Sequence, residues 1–509
     1  MDEPFRPQIH FTPPEKWIND PNGMVYYDGE YHLFYQYYPE DTVWGPMHWG
    51  HAVSRDLVNW EHLPIALSPD ELGYIFSGSA VIDWQNTADF GAEAMVAIYT
   101  YHDPANRNQS QAIAYSLDNG RSWTKYAGNP VIPTPPNIRN FRDPKVMWYD
   151  GGDGAEGDNG HWVMSLAAGS AILFFTSPNL KAWEPSGSFG FGYGSTGGVW
   201  ETPDLFELPV GDSGETRWVL TVGLGNGAPA EGSGMQYFVG DFDGQTFTSE
   251  NPRNTVLWAD YGADFYAAQS WSDVLNSDVL NSDVLSSDEP NSRRLWLAWL
   301  NNWHYAPKIP TSTWRGAMSL PREVRLVEAD EGIRMVQTAV PELTQLRTTQ
   351  HRWQNITVQP NAPFVPDVQG ELLEIIAKIE TPIEANSLGI RVRVGESEAT
   401  TIGYAPKSSA IFVDRTKAGQ ADFHDNFAKL HIAQLDPIDD AIKLHIFVDR
   451  SAVEVFANDG LVTFAERIFP SDESVGVEVF VEGETAVVVR NLEIYELKAA
   501  QFFITAQSE

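Results

Sequence analysis

Cysteine is absent from this chain of 509 residues. Without cysteine the chain forms no disulfide, no thiolate metal site and no thiol nucleophile. Basic residues are also few, because 33 Lys and Arg stand against 69 Asp and Glu and the formal net charge is −36. A surface of this sign repels phosphate backbones and anionic lipid headgroups, so we expect neither nucleic acid nor a membrane as a partner.

Long apolar segments and targeting signals are missing as well. No run of about 18 apolar residues occurs, so the sequence predicts no membrane span. The N-terminal residues 1–11 have neither a basic start nor an apolar core and do not resemble a secretory signal. We therefore expect either a cytoplasmic protein or the trimmed form of a secreted one. The acidity fits a salt-adapted surface or plain solubility, and composition does not decide between them.

Aromatic residues, by contrast, are abundant: the chain has 18 Trp, 19 Tyr and 26 Phe. Such rings build β-sheet cores, and they also stack on the apolar faces of sugars. Short β-rich runs alternate with turn clusters such as Tyr27-Asp28-Gly29-Glu30, and long helical patterns are scarce. The sequence therefore predicts an antiparallel all-β protein.

A strand end, a polar turn and an aromatic residue recur in this order along the first half of the chain. The four copies end at Trp60, Trp123, Trp183 and Phe247, a period near 60 residues. Such a period is typical of four-stranded propeller blades with long loops, and about 330 residues accommodate five of them. An acidic five-residue repeat over residues 273–288 interrupts the pattern, and we interpret it as an expanded loop.

The sequence pattern changes after about residue 340, where alternating strands replace the motif-rich loops. We expect an all-β chain with a five-bladed β-propeller over residues 1–338, a helix-like linker over 339–354 and a C-terminal β-sandwich over 355–509.

Several common catalytic solutions are not found. No His-Glu-x-x-His sequence occurs, so we expect no metal. Residues 192–197 match the glycine pattern of dinucleotide-binding loops, but no helical pattern follows them, and we treat the match as false. The sequence thus indicates no cofactor.

Three carboxylates, Asp20, Asp143 and Glu201, lie beside aromatic residues and prolines in successive repeat units. Each one alone is compatible with a turn. Propeller blades, however, bring equivalent strands around one central funnel, and glycoside hydrolysis needs two carboxyl groups at the scissile bond. A third carboxylate would grip sugar hydroxyls and raise the pKa of a neighbouring acid by charge repulsion.

These segments resemble glycoside hydrolase family 32, the β-fructosidases, over nearly the whole chain. The resemblance is carried by residues 17–23, 33–37, 44–51, 76–79, 141–144, 200–206, 260–267, 314–323 and 448–454. It implies a five-bladed propeller followed by a sandwich. It also implies that Asp20 is the nucleophile, that Glu201 is the acid and base, and that Asp143 with Arg142 holds fructosyl hydroxyls. The remaining substrate-binding positions implied by the family are Asn19, Gln36, Trp44, Phe76, Ser77 and, less directly, Asp264 and Trp303.

The implied activity is retaining exo-hydrolysis of terminal non-reducing β-D-fructofuranosyl residues of sucrose, fructo-oligosaccharides and inulin- or levan-type fructans. Thr202 and Ala263 depart from the family pattern, which often has Cys and Lys there, and this puts the pH optimum and leaving-group preference in doubt. A fructosyltransferase, a strict invertase, a non-catalytic fructan-binding propeller and a related arabinan or xylan hydrolase remain alternatives. The sandwich is a candidate surface for binding substrate or a second copy of the chain.

Overall fold

The computed structural model describes residues 3–151, 160–273 and 293–504. Within these ranges the chain forms 34 strands and three short 3₁₀ helices, and no α-helix is present. None of the helices in this part of the chain is long and apolar enough to cross a membrane. The all-β prediction is confirmed. The loop expansion predicted at residues 273–288 lies, after its first residue, outside the described part.

The strands are numbered in chain order, and those before residue 340 form five sheets. The first two sheets contain β1 (Lys16–Tyr27), β2 (Glu30–Tyr38), β3 (His48–Ser54), β4 (Trp60–Leu67), and β5 (Tyr74–Asp83), β6 (Ala94–His102), β7 (Gln109–Ser116), β8 (Thr124–Lys125). The third contains β9 (Phe141–Tyr149), β10 (His161–Ala168), β11 (Ile172–Ser177), β12 (Glu184–Phe189). The fourth contains β13 (Trp200–Pro209), β14 (Thr216–Leu224), β15 (Gly234–Phe242), β16 (Phe247–Ser249), β17 (Leu257–Trp258).

The next strands are β18 (Tyr266–Ser270), β19 (Arg294–Trp299), β20 (Trp314–Arg315), β21 (Arg322–Ala329) and β22 (Gly332–Ala339). All except β20 form the fifth sheet, while β20 pairs in parallel with β1 of the first. The first strands of the sheets contact each other in the closed order β1, β5, β9, β13, β18 and back to β1. They surround one centre, so this part of the chain has the propeller architecture predicted from the repeat.

The repeat has a structural cause. Each of its four aromatics stands at or just before the start of the fourth strand of a sheet. In the preceding turn a side-chain oxygen accepts backbone N–H groups further along the turn, as Asp56 does from Asn59 at 2.8 Å and Asn179 does from Ala182 at 2.9 Å. Such Asx turns reverse the chain without help from distant residues, which is why the pattern is visible in the sequence.

The C-terminal strands are β23 (Arg347–Val358), β24 (Leu373–Glu380), β25 (Ala385–Val394), β26 (Ala399–Ala405), β27 (Ala410–Lys417), β28 (Leu430–Gln434), β29 (Ala441–Asp449), β30 (Ala452–Ala457), β31 (Val462–Arg467), β32 (Gly476–Gly483), β33 (Val487–Leu497) and β34 (Phe502–Ile504). All except β34 form a six-stranded sheet in the order β23-β33-β24-β29-β30-β31 and a five-stranded sheet in the order β28-β27-β26-β25-β32. Buried aliphatic side chains from both sheets share one core. The predicted sandwich is confirmed as an architecture.

The boundary between the two parts differs from the predicted linker. The helical segment there is only the 3₁₀ helix Pro341–Leu346, and β23 begins at once after it. The other 3₁₀ helices of the described chain are Ala306–Lys308 and Pro406–Ser408. The C-terminal end also departs from the prediction, because β34 leaves the sandwich and pairs in parallel with β4 of the propeller.

Candidate active site

The three predicted carboxylates lie on first strands of the propeller ring. Asp20 is on β1, Asp143 is on β9 and Glu201 is on β13, each in the first half of its strand. The charges of Glu201 and Asp20 both act on Asp143 and raise its pKa. The ring therefore brings together, in one pocket, side chains that are up to 181 positions apart (201 − 20).

A local irregularity of the backbone accompanies each first strand where it reaches the pocket. The pairing register shifts between Ile18 and Pro21 on β1, and between Phe76 and Gly78 on β5. Corresponding shifts occur on β9, on β13 after Glu201 and on β18 after Tyr266. A β-bulge turns a side chain away from the regular alternation and is common beside active sites. Here bulges aim the polar side chains into the centre of the ring.

Asp20 is buried, with 9% of its surface exposed. Asn19 Nδ2 donates to one carboxylate oxygen at 2.9 Å, and Ser77 Oγ donates to the other at 2.7 Å. Burial raises the pKa of Asp20, the hydrogen bonds from Asn19 and Ser77 oppose this rise, and the charge of Glu201 adds to it. These two neutral side-chain donors orient the carboxylate.

Glu201 lies in a different environment. The Arg142 guanidinium donates to Oε1 from Nη2 at 2.6 Å and from Nε at 3.1 Å, and the Tyr266 hydroxyl donates to Oε2. Burial, together with the charge of Glu201 and the hydrogen bond to it, raises the pKa of Tyr266 well above its ordinary value, so this phenol stays a donor. Both oxygens of Glu201 are therefore held by groups that fix the plane of the carboxylate.

Asp143 completes the set. Its backbone is left-handed, with φ +64°, a conformation that costs energy for a residue other than glycine and tends to occur at functional sites. The N–H of Thr202 donates to its Oδ2 at 2.9 Å. The pKa of Asp143 is raised to about 7. Burial is the main cause, the charges of Glu201 and Asp20 add to the rise, and the nearby Arg142 opposes it. Asp143 can therefore donate to or accept from a hydroxyl near neutral pH.

The remaining predicted residues surround this group to different degrees. Asn19 and Ser77 contact Asp20 directly, as described. Gln36 is buried and donates to Asn22 at 2.8 Å, two residues from Asp20. Trp44 is 41% exposed, and its ring meets the Phe76 ring edge-on at 5.9 Å.

Trp303 is connected to Asn19 through the ring of Trp17. It stacks on Trp17 at 6.0 Å, and the Trp17 indole donates to Asn19 at 2.8 Å. Trp303 therefore supports the orientation of Asn19, which in turn donates to the nucleophile candidate.

Asp264 is placed differently from the prediction. It is 0% exposed, and its oxygens accept from the Tyr305 hydroxyl at 2.6 Å, from Arg415 Nη1 at 2.6 Å and from the Arg467 N–H at 2.8 Å. A carboxylate that is sealed from solvent by these donors cannot contact a sugar. The structure assigns Asp264 to the interface between propeller and sandwich, not to the pocket.

Two contributors were missed by the sequence reasoning. Tyr266 lies in a segment that carried the family resemblance, but nothing local distinguishes its hydroxyl from that of a core tyrosine. Gln109 accepts from the Phe141 N–H at 2.9 Å and from Arg142 Nη1 at 3.3 Å, and so helps to orient the arginine that holds Glu201. No motif marked Gln109.

The two departures from the family pattern, Thr202 and Ala263, lie close to the carboxylates in space or in sequence. The Thr202 N–H donates to Asp143, and buried Ala263 precedes Tyr266 by three residues.

Polar contacts join three of the five first strands further along the ring. Two residues beyond Asp143, Lys145 Nζ lies 3.2 Å from Asp204 on β13 and donates to the Ser270 carbonyl on β18 at 2.7 Å. A cavity of about 920 Å³ opens elsewhere, lined by Lys145, Trp148 and others, and none of the predicted site residues lines it. Across the described ranges, no group of three or more His, Cys, Asp or Glu could hold a metal ion.

Comparison with known proteins agrees with this geometry. The profile described as the glycosyl hydrolases family 32 N-terminal domain matches residues 10–339, and the profile of the family 32 C terminal matches residues 342–496. The chain is 52% identical over 504 residues to a levanase of Bacillus subtilis, covering 98% of this chain and 71% of that protein. It is 37% identical over 545 residues to an extracellular exo-inulinase of Aspergillus awamori, covering 97% and 95%. The crystal structure of exo-inulinase from Aspergillus awamori matches with a TM-score of 0.85 at 36% identity, covering 98% of this chain and 99% of that one.

Proposed function

The chain belongs to glycoside hydrolase family 32, and from that premise we propose that it is a retaining exo-β-fructofuranosidase. It removes terminal non-reducing β-D-fructofuranosyl residues from sucrose, fructo-oligosaccharides and inulin- or levan-type fructans. The observation that carries the proposal is the unequal treatment of two carboxylates in one pocket. Among the described residues, the side chains that donate to Asp20 are neutral, whereas Glu201 is held by a cation and a phenol.

In the first step the Asp20 carboxylate attacks the anomeric carbon of the terminal fructosyl unit. The bond to the leaving oxygen breaks, and the carboxylic acid of Glu201 gives that oxygen its proton. In the second step the Glu201 carboxylate takes a proton from water, and the resulting oxygen displaces Asp20 to release fructose with retained configuration. Asp143 and Arg142 bind fructosyl hydroxyls, and the hydrogen bonds that the Asp143 carboxylate accepts strengthen as positive charge develops on the ring.

Contacts that join the first strands support attack at chain ends. The Lys145–Asp204 ion pair and the Ser270 carbonyl join three of the five first strands, and in this proposal they prevent a fructan chain from passing through the ring. A terminal unit can enter, whereas an internal unit would have to place chain on both sides of itself. Transfer of fructose to another sugar uses the same fructosyl-enzyme intermediate. The ratio of transfer to hydrolysis depends on whether a sugar or a water molecule reaches this intermediate.

The test compares three variants on sucrose, inulin and levan. Asp20→Asn and Glu201→Gln should each lower kcat/KM for sucrose by more than about a thousandfold, because each removes a reacting group without changing its shape. Glu207→Gln, an exposed position on the same strand, serves as the matched control and should keep full activity.

The product profile separates the alternatives. Fructose as the only early product from inulin and levan supports exo-hydrolysis, and NMR of the first-formed anomer reports retention. Activity on sucrose alone would indicate an invertase, and larger fructosides at high sucrose would indicate a transferase. Binding without turnover would contradict the enzyme assignment. The predicted self-association through the sandwich is a separate proposal, which light scattering of the purified chain tests.

A further inference from the structure

The segment 260–266, which joins the fourth sheet of the propeller to β18, lies along the edge strand β31 of the sandwich. The Tyr261 N–H donates to the Thr463 carbonyl at 2.9 Å, and the Asp264 N–H donates to the Ala465 carbonyl at 3.0 Å. In return the Ala465 N–H donates to Asp260 Oδ1 at 2.9 Å. The segment therefore occupies the free hydrogen-bonding edge of the six-stranded sheet, as an added strand would.

Buried charges fasten the same segment at both ends. Near its start, Asp260 accepts from Arg322 at 2.9 Å and from the Thr463 hydroxyl at 2.8 Å. Further along, Asp264 accepts from Arg415 at 2.6 Å. Buried ion pairs contribute little net stability, but they fix geometry, since moving one partner leaves a charge uncompensated.

The fixed segment ends at Tyr266, the first residue of β18. Ala267 follows it in a left-handed conformation, with φ +55°, and the register of β18 shifts immediately afterwards. The Tyr266 side chain is buried, and its hydroxyl donates to Glu201. The position of this hydroxyl thus depends on a backbone that the sandwich holds in place.

We propose that strand β31 of the sandwich positions the general acid of the propeller, acting through segment 260–266 and the Tyr266 hydroxyl. The inference rests on the proposed function, in which Glu201 protonates the leaving oxygen. Thr463 and Ala465 are positioning residues in this scheme, because they touch neither substrate nor Glu201. In this scheme the sandwich has a positioning role and contains none of the reacting groups.

Gly262 offers a way to loosen this contact alone. A Cβ at this position would lie 2.4 Å from the Ala465 carbonyl oxygen and 2.5 Å from its nitrogen. Ordinary carbon–oxygen contacts are about 3.3–3.6 Å, so Gly262→Ala must separate the two backbones by about 1 Å. A misplacement of that size costs up to about a hundredfold in rate when it affects catalytic geometry.

The experiment is a double-mutant cycle on kcat/KM for sucrose with Gly262→Ala, Tyr266→Phe and the double variant. We expect each single variant to lose about tenfold to a hundredfold, and the double variant to be within about twofold of the worse single one. Residues that act through one another are not additive, whereas independent defects multiply. Thr463→Val, which removes the hydroxyl bonded to Asp260, is a gentler second variant and should lose about threefold to tenfold.

A second substrate distinguishes a defect in the positioning of Glu201 from general damage to the fold. β-D-Fructofuranosyl fluoride has a leaving group that needs no proton, so its kcat/KM should stay within about threefold of the parent value in all these variants. Gly389→Ala is the control, because a Cβ there would lie 2.1 Å from the Ile402 carbonyl oxygen, between β25 and β26, and the hydrogen bonds described for segment 260–266 do not involve these two strands. It should lower the melting temperature and leave the ratio of sucrose to fluoride activity unchanged.

Multiplicative losses in the cycle, or equal losses on both substrates, would overturn the proposal. If Gly262→Ala does not fold, Thr463→Val with Tyr266→Phe completes the same cycle. Failure of the proposed function looks different, because Glu201→Gln would then keep activity on sucrose. An inactive Glu201→Gln together with an additive cycle would remove the positioning role and leave the proposed function in place.

Discussion

Ser77 sets the ionisation of the proposed nucleophile. Its hydroxyl donates to Asp20 at 2.7 Å, and it is one of two side-chain donors that hold down a pKa that burial raises. A hydrogen bond to a charged group is worth about 1.5–3 kcal/mol, and 1.36 kcal/mol corresponds to one pKa unit. Ser77→Ala should therefore raise the pKa of Asp20 by roughly 1 to 2 units.

The sign of the effect on activity follows from the role of Asp20. The carboxylate must be ionised to attack, so a higher pKa removes activity at low pH and spares it at high pH. The acidic limb of the kcat/KM profile for sucrose should move to higher pH by about 1 to 2 units, with most of the parent value recovered on the alkaline side of the new limb.

The matched control is Ser79→Ala on the same strand. Ser79 is also buried, but its hydroxyl donates to the Pro144 carbonyl at 2.9 Å and does not contact Asp20. It should lower stability and leave the acidic limb where it is. A loss of the same factor at every pH for Ser77→Ala would refute the reasoning, because it would mean that Ser77 binds substrate and does not tune Asp20.

Two further predictions concern stability and substrate binding. Burial disfavours the charged form of His10, but the hydrogen bonds from its ring to Asp449 at 2.8 Å and Glu454 at 3.2 Å raise its pKa above the ordinary value. Its stabilising contribution is complete below about pH 6.5, the unfolded value, and disappears as the pH rises through the folded pKa. His10→Gln should therefore reduce the free energy of unfolding in urea by about 3 kcal/mol at pH 6 and by less at pH 9. Equal losses at the two pH values would contradict this prediction. Trp44→Ala removes the exposed ring at the pocket rim and should raise KM for sucrose up to about tenfold with little change in kcat. An unchanged KM would show that the ring does not contact the substrate.

The sequence determined the features that are written in short stretches. The Asx turn followed by an aromatic marked the fourth strand of four sheets, because both elements lie within a few residues of each other. The three carboxylates were recognisable because each lies in a short motif, beside aromatic residues or prolines, that carries the family resemblance. The local pattern after Val340 predicted a helix-like linker. The structure has one short 3₁₀ helix there, followed at once by a strand.

Tertiary structure alone decided the residues whose roles depend on distant partners. Asp264 resembled a sugar-binding carboxylate, yet it is paired with Arg415, 151 positions away. Tyr266 resembled a core aromatic, yet its hydroxyl meets Glu201, 65 positions away. A sequence pattern reports the conformation of its own backbone, whereas the environment of a buried charge is set by the strands that close around it. The packing of the sandwich against the propeller made one carboxylate an interface residue, and the closure of the propeller ring brought one tyrosine to Glu201.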